Sequence, residues 1–327
     1  MPSITRRAAL AACLASPALA QGQAQGQEWP ARPIKVLVGF PPGGAADVAA
    51  RLLCEQLGRT LGATFVIDNR PGGNTVIAAE AAAKSPADGY TFLFCSNSTM
   101  ASVPLLVANP PYQPERDFAP VSMVSRAPFF AFVPASLPVN SMAELLALAR
   151  AQPGALSYGS NGTGTSGNLA MELLKLTEKL DIVHVPYRSY VQVLNDMLGG
   201  RIQLMLADLT VAGGALAAGT VKNLGAAVPA RSSFFPEVPT VAEAINMPGF
   251  DAGVWFGLFA PAGVPEAVVR RVNAAAGAWL RTPEAREALR RIGQEPDPST
   301  PEGLRETVRA DSARYGRIIR ETGIRLE

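Results

Sequence analysis

The chain has 327 residues, 48% of them hydrophobic, which is ample for a packed core and long enough for two lobes. A formal net charge of +2 and an aromatic content of 7% exclude the basic surplus and the stacking platforms of a nucleic-acid binder. Beyond the N-terminal segment, no stretch reaches the ~18 uninterrupted apolar residues that span a bilayer.

Residues 1–20 read as an export signal. Arg6 and Arg7 form a positive head, "AALAACLASPALA" is a short apolar stretch, and Ala18-Leu19-Ala20 is a small-x-small cleavage site. "TRRAAL" also suits twin-arginine export. Cleavage there removes two arginines and no acid, leaving 27 basic and 27 acidic residues. The mature protein is therefore expected to be soluble and periplasmic. Residues 21–28, "QGQAQGQE", hold no core-forming side chain and read as a flexible tether.

From Pro33 onward, apolar runs alternate with helical patterns. "IKVLVGF" is a buried strand, Asp47 to about Gly62 a helix, and "TFVIDN" a second strand. "RPGGN" is a turn leading into a helix through Ala83, and "YTFLFCS" is a third strand. "DFAPVSMV" and "FFAFVPA" are two more. The pattern then restarts over "SMAELLALARAQPGALSYGSNGTGTSGNLAMELLKL" as helix, strand, glycine-rich loop and helix. "IVHVPY" (strand), "YVQVLNDMLGG" (helix) and "IQLMLAD" (strand) follow, then the strand-like "GVWFGLFAPAG". Residues 265–327 are a charge-rich helical tail whose periodicity suits an amphipathic helix with a solvated face. This alternation predicts an α/β fold with sheets flanked by helices. The strand–glycine loop–helix unit occurs twice, about 120 residues apart. Two lobes are expected, joined by crossings near 127–134 and 254–261: residues 29–128 with 256–327, and residues 129–255. Ligands of open α/β sheets lie beyond the carboxyl ends of the strands, so a cleft between the lobes is the expected site.

Gly43 and Gly44 let the backbone turn sharply and approach a ligand. The helix that follows offers free amides and a positive dipole end, which favour an anion. Asp47 suits the N-cap of that helix. The same residues also read as a plain tight turn. The second loop, "GSNGTGTSGN", sets Ser160, Asn161, Thr163, Thr165, Ser166 and Asn168 among four glycines. Such neutral donors hold an anion without a fixed counter-charge; a capped loop is the other reading. "CSNST" adds Ser96, Asn97, Ser98 and Thr99 at the same rim.

Neither loop has the Gly-Lys-Ser/Thr ending of a P-loop or a dinucleotide fingerprint. His184 is the one histidine and lies in a strand-like apolar run, which suits a partly buried structural ring better than a general base. There is no GxSxG elbow and no metal-ligand spacing, so no enzyme, cofactor or metal site is expected. Asp208 ends a strand; it could meet an ammonium or a water in the cleft, or cap the next segment. Cys54 and Cys95 read as buried free thiols.

In chain order, "WPARPIKVLVGFPPGGAADVAARLL", "LGATFVIDNRPGGN", "PADGYTFLF", "LSYGSNGTGTSGNLA", "HVPYRS", "LGGRIQLMLAD", "FPEVPTVAEA", "WFGLFAPAGVP" and "STPEGL" resemble one family over nearly the whole mature chain. It is the Bug family, the periplasmic solute-binding proteins of the tripartite tricarboxylate transporter system. The resemblance implies a type II periplasmic-binding-protein fold that closes on a small carboxylate. It implies delivery to membrane permease subunits or, for a stand-alone relative, to a sensor domain; a carboxylate-processing enzyme is the minor alternative. A monomer with no nucleic-acid partner is expected. By resemblance, Phe40, Pro42, Gly43, Gly44, Asp47 and Ser96, Asn97, Ser98 and Thr99 hold one end of the ligand. Ser160, Gly162, Thr163, Thr165 and Ser166 bind a carboxylate, and Tyr187, Arg188 and Asp208 approach from the other side. Two departures stand out. Asn168-Leu169 replaces the usual His-Leu, keeping a donor at a ligand-binding position but losing the imidazole. Pro186-Tyr187-Arg188-Ser189 replaces the usual Pro-Tyr-Lys-Gly, and the planar fork of Arg188 is expected to contribute to anion affinity.

Overall fold

A computed structural model describes residues 29–325. The expected export signal and tether lie outside the described residues. In chain order the elements are β1 (Ile34–Val38), α1 (Ala45–Leu61), β2 (Phe65–Asn69), α2 (Val76–Ala83), β3 (Thr91–Ser96), α3 (Val103–Leu106), α4 (Pro114–Asp117) and β4 (Phe118–Ala127). Next come β5 (Phe130–Pro134), α5 (Met142–Ala151), β6 (Ser157–Ser160), α6 (Ser166–Glu178), β7 (Val183–Pro186), α7 (Tyr190–Leu198), β8 (Leu204–Ala207), α8 (Leu209–Ala217), β9 (Val221–Ala226) and α9 (Val241–Ile245). The chain closes with β10 (Val254–Pro261), α10 (Glu266–Leu280), α11 (Pro283–Arg290), β11 (Glu295–Pro296) and α12 (Pro301–Thr322).

The strands form two mixed sheets flanked by helices, one in each lobe, as the alternation predicts. The first has the order β11-β4-β10-β3-β1-β2, the second β7-β6-β8-β5-β9. β1 runs parallel to both β2 and β3, so the turns after these three strands open on one edge. β6 is likewise parallel to β7 and β8, which gathers their turns on one edge of the second sheet. Four of the five β1 side chains are buried, as expected of a strand covered on both faces.

The chain leaves the first sheet at Ala127 and enters the second at Phe130. It returns just before β10, because Val254 already pairs with Ala127 and the whole of Val254–Pro261 is registered on β4. α12 ties the lobes together. Its Leu304 and Val308 pack beneath the first sheet against Trp255 and Phe259, while Tyr315 and Ile318 pack on Leu169 of α6 and Ala101. Burying each large apolar side chain in these cores contributes about 1.5–3 kcal/mol. Both thiols are free and buried, as expected; burial pushes Cys54 up to about 12 and raises Cys95 as well, so neither is a ready nucleophile.

Candidate functional site

The first glycine turn starts α1 two residues earlier than the sequence suggests. Gly44, not Asp47, is the N-cap, and it makes no side-chain capping bond. Asp47 lies inside the first turn and reaches back: its Oδ2 accepts from the Gly43 amide at 2.9 Å. Gly43 can donate there because it takes the left-handed φ of 81°. Arg51 Nε and Nη2 hold the same carboxylate at 2.8 and 3.0 Å, and Asn69 Nδ2 adds a bond at 2.9 Å. Burial pushes the Asp47 carboxyl up, but the hydrogen bonds from Arg51, Gly43 and Asn69 and the Arg51 charge outweigh it and hold the group below the usual carboxylate range. The first amides of α1 are left without side-chain caps, and Gly44, Ala45 and Ala46 face the cleft.

The second loop repeats this geometry. Gly164 also has φ 81°, and its amide donates to Asn168 Oδ1, four residues on, at 2.7 Å. Thr165 is the N-cap of α6, again without a side-chain capping bond. Its hydroxyl donates instead to Gly162 O at 2.8 Å, and Ser160 Oγ accepts from the Gly162 amide at 3.1 Å. Asn168 Nδ2 donates to Tyr158 OH at 2.7 Å, which in turn donates to Glu172 Oε1 at 2.5 Å.

His184 stacks on Tyr158 beneath this loop, with ring centroids 4.7 Å apart. Burial lowers its pKa, against the charge of Glu172, so the ring is neutral near pH 7. Its Nδ1 faces the donor Asn168 Nδ2 at 3.5 Å, which assigns the proton to Nε2. Nε2 then donates to Ser160 Oγ at 2.7 Å. Ser160 is thereby held as an acceptor, the reverse of a serine activated by a base.

The lobes meet at the lip. Asn74 Nδ2 donates to Thr163 O at 2.7 Å, Ser102 Oγ to Gly164 O at 2.6 Å, and the Ser166 amide to Ser98 Oγ at 3.2 Å. The contact from the first lobe rests on strained backbone. Asn74 and Thr75 have φ of 54° and 74°, the second unusual for a β-branched residue, and a hydroxyl bond of 2.9 Å ties Thr75 to Thr99.

Beneath the lip lies a cleft of about 790 Å³. Of the residues singled out from sequence, Phe40, Gly44, Ser96 and Ser98 line it from the first lobe. Gly162, Thr163, Thr165, Ser166, Tyr187, Arg188 and Asp208 line it from the second. The others do not line it, for identifiable reasons, and of these Pro42 and Gly43 are exposed at the turn. Gly43 supplies the turn beside Pro42; Asp47, Ser160 and Asn168 brace the loops. Asn97 is fully buried and donates to Tyr315 OH at 2.9 Å and Gly253 O at 3.0 Å, and Thr99 is taken by Thr75.

Arg188 and Asp208 are the charged residues of the lining. Asp208 caps α8, its Oδ1 accepting from the Val211 amide at 3.2 Å, and burial pushes its carboxyl above the usual range. Arg188 has no ion-pair partner among the described residues. The nearest acid along α7, Asp196, is occupied by Arg201 at 2.9 Å and Tyr187 OH at 2.8 Å.

Sequence reasoning overlooked the third turn, residues 71–75, which lines the cleft along its whole length. The signal was present: "RPGGN" follows a strand parallel to β1, so it had to open on the same edge. The apolar floor was also overlooked. Phe129 and Val254 come from the two crossings, and Tyr190, Val191, Val211 and Phe256 complete it.

A sequence profile of the TctC family, described as "Tripartite tricarboxylate transporter family receptor", matches residues 49–324. The protein BugT of Bordetella pertussis is 34% identical over 91% of this chain and 92% of its own. Among solved structures, R. palustris Rpa4515 with adipate aligns at a TM-score of 0.86 and 36% identity, covering 91% of this chain and 99% of that one. MatC from Rhodopseudomonas palustris with bound malate aligns at 0.81 and 29% identity, covering 89% and 99%.

Proposed function

The chain belongs to the tripartite tricarboxylate transporter receptor family, and on that premise we propose that it captures a small carboxylate between its lobes and presents it to the permease of a tripartite tricarboxylate-type transporter. The observation that carries this reading is the convergence of two helix starts without side-chain caps, α1 and α6, on one cleft. Their amides and dipoles favour a negative group, and Arg188 adds the one cation of the lining. The similar structures were solved with adipate and malate, both carboxylates.

In this reading the ligand meets Gly44, Ser98, Thr163, Thr165 and Ser166, with Tyr187, Arg188 and Asp208 on the far side. The bracing residues Asp47, Ser160 and Asn168 act through loop shape. The work is capture and release without turnover, in keeping with a Ser160 that accepts a hydrogen bond from His184 rather than donating one to it. The two lobes, one around each sheet, move about the crossings between Ala127 and Phe130 and just before Val254. The protein works in the periplasm; no helix of the described residues is long and apolar enough to cross a membrane.

Thermal unfolding against a panel of small carboxylates, with phosphate, sulfate and sugars as controls, tests the reading. A carboxylate at 100 times its Kd adds about 2.7 kcal/mol and raises Tm by several degrees. Equal shifts with phosphate or sulfate, or none with any acid in ligand-stripped protein, would overturn it.

A further inference from the structure

The two lobes also meet outside the cleft, along α12. A small apolar cluster, separate from the core of either lobe, joins Tyr315 and Ile318 of α12 and Ala101 of the first lobe to Leu169 of the second. Leu173, Ile319 and Ile324 pack against it and belong to neither lobe's own core. Beside the cluster, Arg314 Nη1 donates to Asp251 Oδ2 at 3.0 Å and to Asp251 O at 3.1 Å. Asp251 stands at the edge of the second lobe. Its neighbours Phe250 and Ala252 are buried in that lobe's core, while Val254 already pairs with Ala127 of the first sheet. The ion pair therefore bridges the crossing. Its side chains are only 23% and 24% exposed, so their attraction is screened less than that of a surface pair. Asp311 Oδ1 holds the same guanidinium at 3.0 Å from within α12, and its Oδ2 accepts from Trp255 Nε1 at 2.7 Å. The arginine is thus fixed in place on the first lobe, ready for Asp251. Both sides of the apolar cluster are cleft-forming segments. Ala101 belongs to the turn Ser98–Ser102, whose Ser98 and Ser102 bond across the lip, and Leu169 stands one turn into α6 after the cleft-lining Ser166.

Resting on the capture reading above, we propose that the last turns of α12 are an affinity-setting clamp. Arg314 with Asp251, and Tyr315, Ile318 and Ile319 with Leu169 and Leu173, hold the lobes in the closed arrangement whether or not a cargo is bound. None of these residues lines the cleft. They are positioning residues: they act on cargo only through the lobe arrangement. The apparent affinity of a binding protein scales with the fraction of unliganded molecules already in the competent form. The clamp therefore raises the affinity for every cargo by one common factor, and the choice among cargoes is left to the side chains of the cleft.

Small-angle X-ray scattering of the unliganded mature chain reads the lobe arrangement, and calorimetric titration with adipate and with malate reads affinity. Arg314→Gln removes the charged bridge. Leu173→Ala combined with Ile319→Ala trims only the shared cluster and leaves the core of each lobe complete, so it decides the matter should the first variant not fold. Each variant is expected to show a larger radius of gyration without cargo. Each is also expected to bind adipate and malate more weakly than the parent by the same factor, about threefold to tenfold. Saturating cargo should restore the parent radius. A lower Tm with the parent's radius and affinities, the mark of a merely structural contact, overturns the clamp. Unequal factors for the two acids overturn it as well, because the residues would then act through the cleft. Failure of both acids to bind the parent counts against the carboxylate reading alone; the scattering still decides the clamp, a larger radius upholding it and an unchanged one overturning it.

Discussion

The two glycine turns are one device built twice with different chemistry. In each, a glycine at φ 81° donates its amide to the side chain four residues on, and the next residue is an N-cap without a side-chain capping bond. At the first turn the acceptor is the carboxylate of Asp47, neutralised by Arg51. At the second it is the amide of Asn168, with no charge to neutralise. The first turn is therefore self-contained within its lobe. The second leans on the opposite lobe, through Asn74, Ser98 and Ser102. Identical backbone geometry thus leaves one turn as a fixed wall and makes the other part of the closing surface.

Exchanging the acceptors should expose the difference most strongly. Asn168→Asp places an unpaired carboxylate in a buried site near Glu172 and is expected to cost about 3 kcal/mol at neutral pH. That carboxyl would have a raised folded pKa, so the loss should shrink as the solution is made acidic. The next largest effect is at Gly164. A methyl group there would run into Leu106 across the lip, at a φ that disfavours any side chain. Gly164→Ala is expected to weaken ligand binding about tenfold or more, with partial rescue by Leu106→Ala; equal affinity to the parent would show that the lip does not close this way. Gly43→Ala meets no neighbour within 4 Å and should cost only the backbone strain, about 1–2 kcal/mol, with affinity nearly kept. Asp47→Asn is the mildest exchange, expected to cost about 1 kcal/mol because Arg51 can turn to solvent. Its gap to the parent also closes on acidification, but here because the parent loses stability rather than because the variant regains it. The folded carboxyl lies below its ordinary value of 3.8, so its contribution is complete above that value and is lost as pH falls through the folded pKa. Parent and Asp47→Asn should then begin to converge in denaturant melts below pH 3.8 and meet only below the folded pKa. A gap that persists there would mean that shape, not charge, holds the turn.

Most of the fold was legible because apolar runs such as "IKVLVGF" and "TFLFC" can only be buried strands, and the helices between them carry a clear periodicity. β11 was not, because its two residues are a strand only by pairing with Arg126 and Ser125, far away in sequence. α8 was missed because "LTVAGGALA" has apolar residues all round and two glycines, so no face stands out. At the site, residue types marked the loops correctly, yet could not say which side chains point inward. Asp47 and Asn168 have the same composition signal as Ser166, but hydrogen bonds to their own loops turn them away from the cleft. The lip contact of Asn74 depends on how the lobes close, which no local pattern encodes.

The bonds across the lip are made by Asn74, Ser98 and Ser102 with two carbonyls and one amide of the opposite backbone. None of them involves Phe129 or Arg188 on the cleft floor. A lineage could repaint the floor of the cleft, exchanging Phe129 or Arg188 for other side chains, and the bonds across the lip would still form. Ser98, Thr163 and Ser166 belong to lip and cleft alike, so it is the floor, not the rim, that is free to change.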